Sequence, residues 1–232
     1  MRTLVLWDID HTLISVNKLS RELYREVFEE LIGRPPTQLA AMAGRTERAI
    51  TTDTLRLHGI DPTDDLVRTF TTRLGRAFDE HRHELAQRGK ELPGARSVLT
   101  ALGDEPVVQS VLTGNTEPIA RHKLEAFDLD GYLDLGIGAY GMDGVERPPL
   151  VRLAQTRAEA KYGERFNAHS TVLIGDTPHD VLAGHEGGAR VVAVATGNSD
   201  EATLRAAGAE LVLPDLTDTD AVVHAILNVT RP

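Results

Sequence analysis

Three short polar clusters in this 232-residue chain have the types and spacing to do chemistry. Asp8-Ile9-Asp10-His11-Thr12-Leu13 places two carboxylates at i and i+2, directly after an apolar run. Thr113-Gly114-Asn115-Thr116 offers a hydroxyl and backbone N–H groups where a helical pattern opens, an arrangement able to bind an anion. Gly175-Asp176-Thr177-Pro178-His179-Asp180 adds two further acids after another apolar run. Taken singly, each cluster also reads as an ordinary turn or helix cap, where Asp, Thr and Asn are common. Taken together they say more. Each follows a run of strand length, so a parallel sheet would bring all of them to one carboxyl edge, with four carboxylates in one crevice. Two unit charges about 4 Å apart repel by roughly 4 kcal/mol at an effective dielectric of about 20. Such a cluster needs a cation or bound protons. Oxygen ligands, with no cysteine in the chain and no obvious histidine pair, favour Mg²⁺ over zinc. Mg²⁺ beside hydroxyl and backbone donors suits a phosphate group.

The elements that must position these residues are legible from hydrophobic runs. Residues 4–7, 107–112, 133–137, 171–174 and 190–194 read as buried parallel strands, and 211–213 as a weaker sixth. Helical patterns at 94–102, 118–127, 149–162, 181–186 and 201–207 fall between most of them. Alternating strand and helix specify an α/β fold, a doubly wound parallel sheet with right-handed crossovers. One stretch breaks the alternation. Residues 15–86 contain helical patterns at 18–32, 46–58 and 64–85, separated by Arg34-Pro35-Pro36 and Gly59-Ile60-Asp61-Pro62. The expected organisation is a core domain of residues 1–14 and 87–232, and a helical cap domain of residues 15–86. An insert after the first strand sits above the carboxyl edge, where such sheets bind ligands.

Composition removes several function classes. A formal net charge of −10 lacks the basic footprint of a general nucleic-acid or membrane-surface binder. Hydrophobic content of 41% with 26% charged residues is that of a globular chain, not a disordered one. No apolar run approaches the roughly 18–20 residues of a membrane span. The apolar run after Met1 is too short for a signal-peptide core, so a cytoplasmic protein is expected. Neither Gly-x-x-x-x-Gly-Lys-Ser/Thr nor Gly-x-Ser-x-Gly is present, which sets aside a P-loop site and the usual esterase.

Asp8-x-Asp10-x-Thr12, Thr113-Gly114-Asn115 and Gly175-Asp176-x-x-x-Asp180, in this order, closely resemble motifs I, II and IV of the haloacid dehalogenase-like (HAD) hydrolase superfamily. The resemblance spans essentially the whole chain and implies a Rossmann-like HAD core with a C1-type cap. Gly44-Arg45-Thr46, Leu92-Pro93-Gly94-Ala95 and Thr196-Gly197-Asn198 look like its phosphoglycolate phosphatase-like branch. The chain departs from the pattern twice: His11 stands where glycine is common, and Arg147, in Val145-Glu146-Arg147-Pro148-Pro149, stands where motif III has lysine. Lys123 is the alternative cation.

By this resemblance the chain is a Mg²⁺-dependent phosphatase of a small phosphorylated metabolite. Asp8 is the nucleophile that forms an aspartyl-phosphate, and Asp10 the general acid and then base. The metal set is Asp8, Asp10 through its backbone carbonyl, Asp176 and Asp180. Thr113, Gly114 and Asn115 bind the phosphoryl group, Arg147 supplies positive charge, and Arg45 is either a surface residue or a cap contact to substrate. The second acid, Asp10, disfavours a dehalogenase. A cap whose one lysine is Lys18, at its edge, disfavours phosphonate cleavage. A β-phosphoglucomutase-like isomerase and a non-catalytic HAD-fold binding protein are the alternatives. His11, His179 and Trp7 read as a turn residue, a helix cap and a core residue.

Overall fold

The computed structural model describes residues 2–16 and 18–229. Met1, Asn17 and residues 230–232, at the ends of the expected core and inside the expected cap, lie outside the described residues. The chain runs β1 (Thr3–Trp7), β2 (Ile14–Ser15), α1 (Leu19–Ile32), α2 (Glu47–Leu57), α3 (Asp64–Glu80), α4 (Arg82–Arg88) and β3 (Lys90–Glu91). It continues through α5 (Ala95–Gly103), β4 (Val107–Val111), α6 (Glu117–Glu125), α7 (Pro148–Tyr162), β5 (Thr171–Gly175) and α8 (Pro178–Gly187). The last elements are β6 (Arg190–Val194), α9 (Glu201–Ala206), β7 (Leu211–Leu213) and α10 (Thr219–Val229).

Five strands form one sheet in the order β4-β1-β5-β6-β7, every pair parallel. β1 lies inside the sheet, between β4 and β5, and both of its faces are covered. Val5 and Trp7 join the core on one face, Leu4 and Leu6 the core on the other, and all four are fully buried. Trp7 is the core residue its sequence position suggests, its indole N–H donating to Gln109 Oε1 at 3.2 Å. Parallel pairing puts the residues after β1, β4 and β5 at one edge. The chain leaves β1 for β4 on one side and returns from β4 to β5 on the other, a reversal of strand order that opens the crevice.

The expected strand at 133–137 does not form. Its apolar residues are buried, but a single 3₁₀ turn covers Leu135–Ile137. Gly136 lies within the turn, Gly138 follows it and Asp134 caps it, accepting from the Gly136 N–H at 3.2 Å. The segment instead shields the edge of β4: the Asp134 N–H donates to Gln109 O at 2.8 Å and the Ala139 N–H to Val111 O at 3.0 Å.

The inserted helices pack on their own apolar faces. Leu19, Leu23, Tyr24, Val27 and Phe28 of α1 are buried at helical spacing, as are Val67, Phe70, Leu74 and Phe78 of α3. The Tyr24 and Phe70 rings meet at 4.8 Å. The helix expected over 64–85 breaks at His81 into α3 and α4. Entry and exit of the insert are joined by an antiparallel ribbon, Ile14 opposite Glu91 and Ser15 opposite Lys90. Among the described residues no helix is long and apolar enough to cross a membrane.

Candidate active site

The carboxyl edge brings Asp8, Asp10, Thr113, Gly114, Asn115, Arg147 and Asp176 around one cavity of about 350 Å³, roofed by Arg45, Glu47 and Ile50 of the insert. Asp8 follows β1 and is held by its N–H, which donates to Ile174 O at 2.9 Å. Its side chain is 9% exposed, and Arg147 Nη2 donates to its Oδ1 at 3.2 Å. The same Nη2 donates to Leu112 O at 3.3 Å and to Asp180 Oδ1. Arg147 arrives as the residue before α7, whose first positions are Pro148 and Pro149, where proline is tolerated.

Asp8, Asp176 and Asp180 each turn one carboxylate oxygen inward, all within 4.8 Å of one another. Burial pushes Asp8 up to about 7, with Asp180 adding repulsion and Arg147 opposing it. Burial and the charges of Asp8 and Asp180 push Asp176 to about 9. This crowding of buried acids fits a divalent cation bound by hard oxygen ligands. Asp180 is heavily committed: its Oδ2 accepts from the Thr177 N–H at 3.1 Å and hydroxyl at 2.5 Å, closing a capping box on α8. Asp8 and Asp176 are thus the open carboxylates. Thr177, rather than His179, caps that helix.

Asp10 faces elsewhere. Lys123 Nζ, on α6, donates to its Oδ1 at 2.8 Å and Oδ2 at 2.6 Å, and Asn115 Nδ2 to Oδ2 at 2.8 Å. Burial pushes Asp10 up, but the Lys123 charge and these hydrogen bonds outweigh it, and the net shift is downward. Thr113 Oγ1 accepts from the Asn115 N–H at 3.2 Å and from its Nδ2 at 2.8 Å, leaving the hydroxyl proton free for another acceptor. The two candidate cations therefore serve different acids, Arg147 beside Asp8 and Lys123 beside Asp10. Arg45 lines the cavity, with its guanidinium tied to Asp53 at 2.5 Å. His11 adopts φ 64°, the left-handed region that favours glycine, which accounts for the glycine common at this turn.

Residues 5–194 match the family of haloacid dehalogenase-like hydrolases. The chain belongs to this family. Among the hydrolases it resembles is pyrophosphatase PpaX of Halalkalibacterium halodurans, 25% identical over 222 residues, covering 92% of this chain and 94% of that one. A hydrolase from Pseudomonas syringae has the same fold, with a TM-score of 0.71, 24% identity, and 97% and 99% of the two chains covered. So does CbbY from Rhodobacter sphaeroides, whose structure is a complex with phosphate: TM-score 0.70, 18% identity, 94% and 96% covered.

Sequence reasoning missed Glu47. It follows Thr46, which caps α2 by accepting from the Ala49 N–H at 3.2 Å, and so reads as an ordinary first-turn acid. Its approach to the crevice depends on the fold of the insert, which no local pattern records.

Proposed function

We propose that this hydrolase is a Mg²⁺-dependent phosphatase of a small phosphorylated metabolite, acting through an aspartyl-phosphate on Asp8. The observation that carries the reading is the buried Asp8 carboxylate, with Arg147 on one side and Asp176 within the same cluster of oxygens. Asp8, Asp176 and the Asp10 backbone carbonyl would hold the metal, and Asp180 supports that set through Thr177 and Arg147. Bound there, Mg²⁺ would offset the repulsion between the nucleophile and the phosphoryl oxygens.

The chain's own residues do the rest. The Thr113 hydroxyl and the Gly114 backbone orient the phosphoryl group, and Asp8 attacks phosphorus in line with the departing alkoxide. Asp10 delivers a proton to that alkoxide and takes one from the water that cleaves the acyl-phosphate. Its depressed pKa, maintained by Lys123, keeps the carboxylate ready for the base step at neutral pH, while the acid step draws on the protonated minority form. Arg147 holds positive charge beside Asp8 as anion meets anion. The lid of residues 15–86 excludes water.

The test is hydrolysis of p-nitrophenyl phosphate with and without Mg²⁺. Metal-dependent turnover lost in Asp8→Asn supports the reading. Turnover that survives in Asp8→Asn overturns the covalent route, and no hydrolysis of any phosphomonoester overturns the reading itself.

A further inference from the structure

Glu47 is the one acid that the insert contributes to the lining of the cavity. It is 8% exposed, and its Oε2 is buried with no hydrogen-bond partner among the described residues. A buried acceptor left without a donor is costly, so the arrangement calls for a partner from within the cavity.

The side chain has little freedom to withdraw. The Glu47 N–H donates to Gly114 O at 2.8 Å, seating the first turn of α2 on the loop that holds Thr113 and Asn115. A Cβ at Gly114 would lie 2.0 Å from Arg45 O, so only glycine admits this approach. The neighbouring Thr46 hydroxyl donates to Val145 O at 2.7 Å, a second tie between lid and core.

Nor does the lysine of the cavity satisfy it. Lys123 acts on Glu47 through its charge, but its ammonium donates to Asp10 and Asn115. Glu47 is seated on Gly114, whose neighbour Asn115 donates to Asp10, so it lines the cavity beside the loop that reaches Asp10, the residue assigned to the leaving group. An alcohol bearing a second O–H or N–H would meet the unpartnered oxygen there. Burial pushes Glu47 up to about 7, so above that pH an alcohol bearing a second anionic group would meet two carboxylates.

We propose that Glu47 determines leaving-group specificity, accepting a hydrogen bond from the alcohol portion of the substrate. The substrate class is then phosphomonoesters of polyols or amino alcohols. This rests on the phosphatase reading above. It sets the chain apart from a pyrophosphatase, whose leaving group is itself a phosphate.

The experiment compares kcat/KM in Mg²⁺ at pH 8, where Glu47 is ionised, for glycerol 1-phosphate, ethanolamine phosphate, propyl phosphate and phosphoglycolate, with wild type, Glu47→Gln and Glu47→Ala. Wild type should prefer a donor-bearing ester over propyl phosphate by about tenfold to a hundredfold, the worth of a hydrogen bond to a buried or charged acceptor. Glu47→Ala should bring that ratio close to one. The isosteric Glu47→Gln, whose folding is checked by its thermal melt, separates the two donor sources. It should retain the hydroxyl preference through its amide oxygen, lose an ammonium preference, and gain on phosphoglycolate relative to wild type. Ratios unchanged in both variants, or phosphoglycolate as the best wild-type substrate, would overturn the role of Glu47 while leaving the phosphatase intact. Hydrolysis of none of the esters, with p-nitrophenyl phosphate also inert, would overturn the phosphatase reading and this inference with it.

Discussion

The Lys123 ammonium lies 2.8 and 2.6 Å from the two carboxylate oxygens of Asp10 and spends its remaining donor on Asn115 Oδ1 at 2.8 Å. It also stands 5.3 Å over the ring of Phe78, which belongs to α3 of the insert. One buried cation thus links the lid to the residue assigned general acid and base. Without it, the upward push of burial on Asp10 meets only the weaker opposition of the Asn115 hydrogen bond and the His11 charge. Lys123→Met keeps the apolar stem and removes the charge. It should move the acid limb of kcat, which the base step on the aspartyl-phosphate sets, upward by about one pH unit, the low end of what a neighbouring opposite charge supplies. An unmoved acid limb would separate Lys123 from Asp10 function.

Arg147 makes the complementary case. Its Nη2 serves Asp8, Asp180 and Leu112 O together, and its side chain is 5% exposed. Arg147→Ala should lower kcat by about 10²-fold or more, the scale for loss of one preorganised charge-stabilising group. Arg147→Lys should recover part of this, because an ammonium has three donors for the same three acceptors but lacks the planar fork. If Arg147→Ala retains full kcat while Lys123→Met abolishes it, the charge beside Asp8 is not the one that matters.

Asp8→Asn should separate chemistry from folding. An amide is a poor nucleophile, so turnover should fall to background. Removing one charge from three crowded acids should also relieve repulsion. At pH 8 without metal, the variant should melt about 2–8 °C above wild type, the response expected for one or two kcal/mol in a chain of this size. A lower melting temperature would show that Arg147 depends on Asp8 more than the acids repel one another.

The core was legible in the sequence because a buried parallel strand is written as a continuous apolar run and its carboxyl end as the polar cluster that follows. Asp8, Thr113 and Asp176 were readable for that reason. The segment at 133–137 misled because Leu133, Leu135 and Ile137 alternate as a strand would, whereas their burial comes from plugging the edge of β4 through a 3₁₀ turn. The two-residue strands β2 and β3 carry no periodicity at all. Lys123 and Arg147 were both visible as candidate cations, but which acid each meets is a matter of tertiary packing. Glu47 was hidden for the same reason, its first-turn position being sufficient to explain an acid there.

Metal dependence of stability should itself depend on pH, and the sign follows from the raised acids. Asp8 is pushed to about 7 and Asp176 to about 9, both above the ordinary carboxylate value. Between about pH 4 and pH 9 the native chain therefore holds protons that the unfolded chain has released. Stability without metal falls as pH rises through that window and is lowest above the higher value. Mg²⁺ requires the deprotonated acids, so its binding competes with those protons and removes the repulsion that ionisation creates. At pH 8, Mg²⁺ at about 100 times its dissociation constant should add about 2.7 kcal/mol, a rise of roughly 5–10 °C in Tm. At pH 6 the same concentration should add clearly less. Asp176→Asn should melt higher than wild type at pH 8 without metal and should lose most of the Mg²⁺-induced rise. Thermal melts at the two pH values, with EDTA or Mg²⁺, decide it: an equal Mg²⁺ shift at both, or an undiminished shift in Asp176→Asn, would remove these two carboxylates from the metal site.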